Sequence, residues 1–185
     1  MRIALLILTA AILALSSCQQ KAKAEGRSQE TGVRSQETGT RSLDAGGENQ
    51  YIDFELPGML GQMVKVSDYV GKNKLVLVDF WASWCGPCLR EMPYVAKAYD
   101  LYHEKGLEIV GVSLDVDEES WLRAIELTGQ KWPQMSDLRG WNCLGARIYG
   151  LRSIPANLLI DEQGQVIAVN LRGQRLINTI AEKLD

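Results

Sequence analysis

A nearly continuous apolar run from Leu75 to Trp81 leads into a Cys-Gly-Pro-Cys tetrapeptide, and this junction constrains the fold more than any other segment. A run without a polar face is typical of a central strand that is covered on both sides of its sheet. Pro87 is suited to the first turn of a following helix, and Gly106 lies beyond the end of that helix. The sequence therefore predicts a buried strand over 75–81 and a helix over about 87–103, with Cys85 at the junction.

The same pattern of apolar runs and turn residues divides residues 51–185 into further strands and helices. It predicts strands at 51–56, 63–66, 107–114, 132–137, 157–161 and 165–170, and helices at 118–127, 142–149 and 177–184. Two strands joined through a helix are expected to be parallel, whereas the last two strands predict an antiparallel hairpin. The predicted fold class is α/β, with a mixed central β-sheet flanked by helices and an N-terminal strand extension.

The junction places Cys85 and Cys88 for thiol chemistry. At a helix start, unpaired N–H groups and the positive end of the helix dipole stabilise an anion, so Cys85 is expected to ionise readily. The pKa of a free cysteine is about 8.5, and that of a Cys-X-X-Cys nucleophile falls to roughly 7. Cys88 lies one turn further along the same face, where it can close a disulfide with Cys85 and resolve a mixed disulfide.

Other roles for a Cys-X-X-Cys pair fit the sequence less well. A structural zinc site needs a second pair of ligands, and only Cys143 and His103 remain. Covalent haem attachment requires a histidine after the second cysteine, where this chain has Leu89. A purely structural disulfide stays as a minor alternative. We therefore expect no metal and no organic cofactor, only the redox-active Cys85–Cys88 couple.

Residues 1–17 have the features of a secretory signal peptide, with a basic start at Arg2 and an apolar run from Ile3 to Leu15. A run of this length is too short for a membrane-spanning helix. Leu15-Ser16-Ser17-Cys18 resembles the bacterial lipobox, which implies that Cys18 is lipidated and becomes the mature N-terminus. A plain signal peptide cut nearby, with Cys18 an incidental thiol, is the alternative.

Residues 18–50 predict a lipidated flexible tether, because they are polar, repeat the sequence Arg-Ser-Gln-Glu-Thr-Gly and have almost no large apolar side chain. The folded domain is then predicted at 51–185. The net charge is −3, from 20 Lys and Arg against 23 Asp and Glu, and no basic stripe indicates nucleic-acid binding. We expect the protein in the bacterial cell envelope, anchored on the extracytoplasmic, periplasmic side of a membrane, where disulfides can form.

The segment from Val78 to Cys88, Val-Asp-Phe-Trp-Ala-Ser-Trp-Cys-Gly-Pro-Cys, closely resembles the active-site segment of thioredoxins. Glu91-Met92-Pro93 and the lipobox resemble the exported TlpA/ResA-like branch of that superfamily, and residues 64–69 resemble its lead-in strand, which peroxiredoxin relatives share. The similarity covers about 51–185. It implies a thioredoxin fold and a thiol:disulfide oxidoreductase.

The resemblance also implies roles for two carboxylates. Asp79 lies inside an apolar strand, where burial should raise its pKa, and the family makes it the proton acceptor that helps to deprotonate Cys88. A carboxylate held in a structural hydrogen bond is the alternative. Glu91 matches a glutamate that tunes cysteine acidity in the TlpA/ResA-like branch, although an exposed helix glutamate fits nearly as well. Pro93 should kink the helix.

Ser153-Ile154-Pro155 precedes the predicted hairpin and resembles the cis-proline loop of thioredoxins. The resemblance implies that the Ile154 backbone pairs with a substrate peptide as an added strand, beside Pro155. An ordinary trans proline is the alternative, and Asn157 departs from the β-forming residue usual after this loop. Trp84, Gly86 and Pro87 are expected to line the substrate site.

The predicted reaction is dithiol-disulfide exchange with protein disulfides of the envelope. The Gly-Pro dipeptide resembles that of reducing thioredoxins, which implies a reductase rather than an oxidase. The resemblance implies substrates such as apocytochrome c, hence a role in cytochrome c biogenesis, and a membrane thiol carrier as electron donor. A peroxiredoxin-like thiol peroxidase is a second hypothesis, although the Thr and Pro that activate peroxide are missing before Cys85. A non-enzymatic binding module that uses the cis-proline groove is a third.

The remaining cysteine and the tryptophans are predicted mainly from their surroundings. Cys143 is expected to be buried and inert, with an auxiliary redox or dimer-forming thiol as the alternative. His103 is expected at the surface or as a cap. Trp81 is expected in the core, and Trp121, Trp132 and Trp141 are expected to pack rather than to recognise a partner.

Overall fold

The computed structural model of the protein describes residues 49–185. The predicted signal peptide at 1–17, the predicted lipidation site Cys18 and nearly all of the predicted tether at 18–50 lie outside the described residues. In chain order, the regular elements of the described part are β1 (Glu55–Pro57), β2 (Met63–Lys65), β3 (Leu75–Trp81), α1 (Gly86–Tyr102), β4 (Leu107–Ser113), α2 (Glu118–Thr128), β5 (Gln134–Met135), α3 (Leu144–Ile148), β6 (Ala156–Asp161), β7 (Val166–Val169) and α4 (Gly173–Leu184).

Five strands form a mixed sheet in the order β5-β4-β3-β6-β7, with β3 at its centre. β3 is parallel to β4 and antiparallel to β6, and every residue of β3 and β4 is buried. Burial on both faces explains why both strands are continuous apolar runs in the sequence. The α/β class, the mixed sheet, the parallel pair and the antiparallel β6–β7 hairpin are confirmed.

The N-terminal extension is an antiparallel β1–β2 hairpin that meets the edge of the main sheet through a bridge between Gly58 and Met135. A strand over all of 51–56 is wrong, since β1 begins only at Glu55. The Tyr149 hydroxyl explains the difference, because it accepts from the Ile52 N–H at 3.0 Å and donates to the Ile52 carbonyl at 2.9 Å. A side chain thus occupies the backbone groups that a neighbouring strand would need.

Two of the four predicted helices have different bounds in the structure. α1 and α2 match closely, whereas the predicted helix at 142–149 is a 3₁₀ turn over Gly140–Asn142 followed by the short α3. α4 begins at Gly173, four residues before the predicted start, and it packs against α1. Pro93 lies inside α1.

Candidate active site

The Cys85–Cys88 pair lies where β3 meets α1, at the carboxyl end of the central strand. Cys85 is the N-cap of α1, and its Sγ accepts a hydrogen bond from the Cys88 N–H at 3.2 Å. The two sulfurs are bonded at 2.05 Å, with the Cα atoms 5.2 Å apart. A sulfur at this position faces the unpaired N–H groups of a helix of 17 residues, which stabilise it when reduction makes it an anion.

The two cysteines differ in their access to solvent. Cys88 is 1% exposed and Cys85 is 4% exposed, whereas the neighbouring Trp84, Gly86 and Pro87 are exposed. Both cysteines are nonetheless buried, so the exposed surface of the site is formed by Trp84, Gly86 and Pro87.

Asp79 lies within β3, fully buried, two strand positions before Trp81. Burial raises its pKa from the ordinary 3.8 to about 6, although the charge of Arg172 and a hydrogen bond from Asn157 lower it, and Glu91 raises it further. The predicted direction of the pKa is confirmed. A carboxyl that titrates close to neutral pH can accept and return a proton during a reaction.

The loop before β6 contains a cis peptide bond between Ile154 and Pro155, as predicted. Ala156, the next residue, pairs with Phe80 across the β3–β6 ladder, so Pro155 lies at the same end of the sheet as the disulfide. Among residues 49–185, none forms a hydrogen bond with the Ile154 backbone. These backbone groups are available to a bound strand.

Glu91 is half-buried and does not fit the alternative of an exposed helix glutamate. Its Oε2 accepts from the Gly173 N–H at 2.7 Å, which caps the start of α4 and explains the early start of that helix. Its charge acts on Asp79. The glutamate on α1 is therefore linked to the buried carboxyl and to α4.

Two polar residues of the site escaped sequence analysis. Arg172 donates to the Pro155 carbonyl and, at 2.7 Å, to the Leu171 carbonyl. The Asn157 side chain donates to the Leu171 carbonyl at 2.9 Å and accepts from the Leu171 N–H at 2.8 Å. Asn157 was singled out only as a departure from the family pattern. No local signal marks Arg172, because the chain contact that matters lies 17 residues away.

Trp141 does not follow the prediction of core packing. It is 46% exposed, and its ring centroid is 6.4 Å from that of Trp84, which is 54% exposed. Trp81, Trp121 and Trp132 are buried, as predicted. The 3₁₀ turn that carries Trp141 thus brings a second exposed indole next to the one that precedes Cys85.

Cys143 and His103 lie apart from this chemistry. Cys143 is fully buried, and burial raises the pKa of its thiol, in agreement with the predicted inert residue. His103 follows α1, where its Nδ1 is 3.1 Å from the Leu107 carbonyl oxygen and its ring stacks on Tyr99. Within residues 49–185, no three His, Cys, Asp or Glu side chains cluster as metal ligands, and no helix is long and apolar enough to cross a membrane.

Comparison with known protein families identifies residues 47–182 as a match to the Redoxin family. Thiol-disulfide oxidoreductase ResA of Halalkalibacterium halodurans is 35% identical over 124 residues, which are 67% of this chain and 68% of that protein. ResA of Bacillus thuringiensis is 33% identical over 115 residues, 62% of this chain and 64% of the relative. The alignments thus span about two thirds of these relatives.

Solved structures agree with the sequence relatives. The thioredoxin domain of a thiol-disulfide oxidoreductase from Bacteroides vulgatus superposes with a TM-score of 0.71 and 33% identity, covering 78% of this chain and 100% of that one. A structure described as a thiol:disulfide interchange protein DsbE, from Chlorobium tepidum, gives a TM-score of 0.67 and 32% identity over 78% and 100% of the two chains. Both comparisons support the thioredoxin-like fold.

Proposed function

This chain belongs to the Redoxin family and is a thiol-disulfide oxidoreductase that works by dithiol-disulfide exchange, and we propose that it acts as a reductase of protein disulfides in the cell envelope. The observation that carries the proposal is the Cys85–Cys88 disulfide at the start of α1, beside the exposed Trp84, Gly86 and Pro87. The Gly86-Pro87 dipeptide between the cysteines resembles that of reducing thioredoxins, which favours the reducing direction.

In the first step, the Cys85 thiolate attacks one sulfur of a substrate disulfide. A mixed disulfide between Cys85 and the substrate forms, the substrate S–S bond breaks, and its other sulfur leaves as a thiolate that takes a proton from solvent. The N–H groups at the start of α1, including that of Cys88, stabilise the attacking anion.

In the second step, the Cys88 thiol loses its proton and attacks the Cys85 sulfur. The substrate leaves as a second thiolate, so that the substrate gains two electrons and the protein is left with the Cys85–Cys88 disulfide. Asp79 is the proposed proton acceptor, because it is buried below the site and its pKa of about 6 leaves it mostly ionised at neutral pH. Glu91 is proposed to influence this proton through its charge.

The substrate peptide is proposed to lie between Trp84, Gly86 and Pro87 on one side and the Ile154-Pro155 loop on the other. The unpaired Ile154 backbone can hydrogen-bond to it as to an added strand. Main-chain pairing suits a protein that must accept many sequences around a disulfide.

Localisation and partners are proposed from the sequence features and the resemblance. Cleavage after residue 17 and lipidation of Cys18 would anchor the protein on the periplasmic side, and residues 18–50 would tether the domain. The proposed substrates are envelope thiols such as those of apocytochrome c, and the proposed electron donor is a membrane thiol carrier. Labelling full-length protein with a radioactive fatty acid in a bacterial host tests the anchor; label that persists in Cys18→Ala would contradict it.

Trapping tests the function directly. Cys88→Ser should hold substrates on Cys85 as mixed disulfides that dithiothreitol releases, whereas Cys85→Ser, the matched control, should trap none. The reduced wild-type domain should also reduce the disulfides of insulin. Peroxide consumption without insulin reduction would favour a thiol peroxidase, and full biological function of Cys85→Ser would favour a binding module; either result overturns the proposal.

A further inference from the structure

Three consecutive residues around the start of α4 each form a hydrogen bond with a residue of the site: Leu171 and Arg172 precede the helix, and Gly173 is its first residue. Leu171 is held by both ends of the Asn157 side chain, at 2.8 and 2.9 Å. Arg172 reaches the Pro155 carbonyl, and Gly173 donates to Glu91 at 2.7 Å. These three residues thus join the cis-proline loop, strand β6 and helix α1.

Arg172 is one of three side chains that influence the ionisation of Asp79. It makes two hydrogen bonds to carbonyl oxygens, those of Pro155 and Leu171, which fix its orientation. The charged and polar groups that act on Asp79 are Arg172 and Asn157, which favour the anion, and Glu91, which opposes it. The disulfide next to them carries no charge. Arg172 is therefore the cation that offsets the burial of Asp79.

We propose that Arg172 is a positioning residue of the exchange reaction: one guanidinium holds the Pro155 carbonyl at the substrate loop and presents its positive charge to the buried Asp79 carboxyl. The inference rests on the proposed function, since it concerns the proton acceptor and the peptide-binding loop of that reaction. Arg172 itself touches neither sulfur in the described contacts.

This arrangement gives one side chain two separable effects. Its charge keeps Asp79 ionised and able to take the proton of Cys88. Its planar guanidinium group donates to two carbonyl oxygens at once, and a lysine ammonium group cannot form the same pair of hydrogen bonds. Arg172→Gln removes both the charge and the guanidinium group, whereas Arg172→Lys keeps the charge and removes the guanidinium group. Arg175→Gln is the matched control, because Arg175 is an exposed arginine in the first turn of α4, the helix that Arg172 precedes.

The first measurement follows the Asp79 carboxyl carbon by NMR as a function of pH, in the oxidised domain, with the signal assigned by its loss in Asp79→Asn. The titration midpoint should rise by about one pH unit in Arg172→Gln, since an opposite charge has been removed. It should stay near the wild-type value in Arg172→Lys and in Arg175→Gln. Equal midpoints in Arg172→Gln and wild type would overturn the electrostatic part.

The second measurement compares a peptide disulfide with oxidised glutathione, which is too small to pair along the Ile154-Pro155 loop. Both Arg172 variants should raise KM for the peptide about threefold to tenfold and leave KM for glutathione unchanged. Arg175→Gln should behave like wild type with both substrates. An unchanged peptide KM in Arg172→Lys would overturn the positioning of the loop.

The design keeps the two proposals apart. If wild-type protein reduces neither substrate, the proposed function fails, while the NMR titration still tests Arg172 because it needs no turnover. If Arg172→Gln does not fold, Arg172→Lys decides: a raised peptide KM with an unmoved Asp79 midpoint supports the proposal, and any other combination overturns it.

Discussion

Two buried aspartates lie near the carboxyl ends of neighbouring strands and have opposite surroundings. Asp115 follows β4, is 1% exposed, and accepts from the Ser83 N–H at 3.0 Å, the Ser83 hydroxyl at 2.5 Å and the Ser113 hydroxyl at 2.7 Å. Asp79 in β3 is equally buried, but only Asn157 acts on it as a hydrogen-bond donor. Burial is the same at both sites, and the number of donors differs.

The comparison teaches that burial alone does not produce a proton acceptor. Donors that point at a carboxylate replace the water it has lost, so Asp115 is a fixed acceptor that holds the segment before Trp84 in place. Asp79 lacks that compensation, and its pKa rises to about 6. Asp115 thus shapes the loop, whereas Asp79 is the proposed proton acceptor.

The largest expected effect is on the rate of exchange. Asp79→Asn should slow the resolving step about 100-fold or more at neutral pH, because general base catalysis of this kind contributes factors of that size. The mixed disulfide on Cys85 should accumulate, as seen by quenching with acid and mass spectrometry. Asp117→Asn, at an exposed aspartate that caps α2, is the control and should react like wild type. Equal rates in both variants would contradict the role of Asp79.

Removing the side chain of Asp115, whose oxygens accept several hydrogen bonds, should instead lower the stability of the fold. Asp115→Ala leaves the Ser83 N–H and two hydroxyls without their charged acceptor, which should lower the free energy of unfolding by about 3 kcal/mol. Urea denaturation of the oxidised domain measures this, with a smaller loss expected for Asp117→Ala. The pH dependence of exchange in the folded variant should stay that of wild type. A variant as stable as wild type would show that the hydrogen bonds of Asp115 are not structural.

The stability of the wild-type protein should fall between about pH 4 and pH 6 through a contribution that Asp79→Asn lacks. A carboxyl whose pKa is 3.8 in the unfolded chain and about 6 in the folded one binds its proton more tightly when folded. Its contribution to stability is therefore lost as the pH rises from about 4 to about 6, at a total cost of up to roughly 3 kcal/mol. Asp79→Asn should be more stable than wild type above pH 6 and equal to it near pH 4, by urea denaturation. A difference that does not vary with pH would contradict the raised pKa.

The smallest expected effect comes from removing one of the hydrogen-bond donors of Asp115, which makes its surroundings more like those of Asp79. Ser113→Ala removes one of its donors, and the backbone N–H of Asp115 loses the Ser113 hydroxyl as its acceptor at 2.9 Å. The free energy of unfolding should fall by about 1 kcal/mol, as thermal denaturation would show. A loss as large as that of Asp115→Ala would mean that the two remaining Ser83 contacts contribute nothing.

Most of the fold could be predicted because its signals are local. The apolar run of β3 matches its strand residue for residue, and the start of α1 is one residue from the predicted one. The short elements were harder. β1 begins four residues after the predicted start because of the Tyr149 hydroxyl, and α4 begins four residues before the predicted start because of Glu91. Each boundary depends on a side chain from a distant part of the chain.

The candidate site divides in the same way. Cys85 and Cys88 are three positions apart at the start of one helix, so their spacing and their place after a buried strand predicted the disulfide. Arg172, by contrast, is 17 residues from Pro155, whose carbonyl it contacts. Trp141 was expected to pack rather than to recognise a partner, but it lies beside Trp84 at the surface. The amino-acid pattern around each loop does not show which loop will pack beside the carboxyl end of β3.

The amino-acid sequence by itself determined the reactive pair, the buried strand that leads to it and the α/β class, because these follow from hydrophobic periodicity, helix capping and the spacing of two thiols. Tertiary structure alone decided which charges surround Asp79 and which connection supports the cis-proline loop. The physical reason is the distance along the chain over which each effect acts. Hydrophobic periodicity and helix capping depend on residues within one or two helical turns, whereas the desolvation and the electrostatic surroundings of a group depend on which distant residues the fold packs against it.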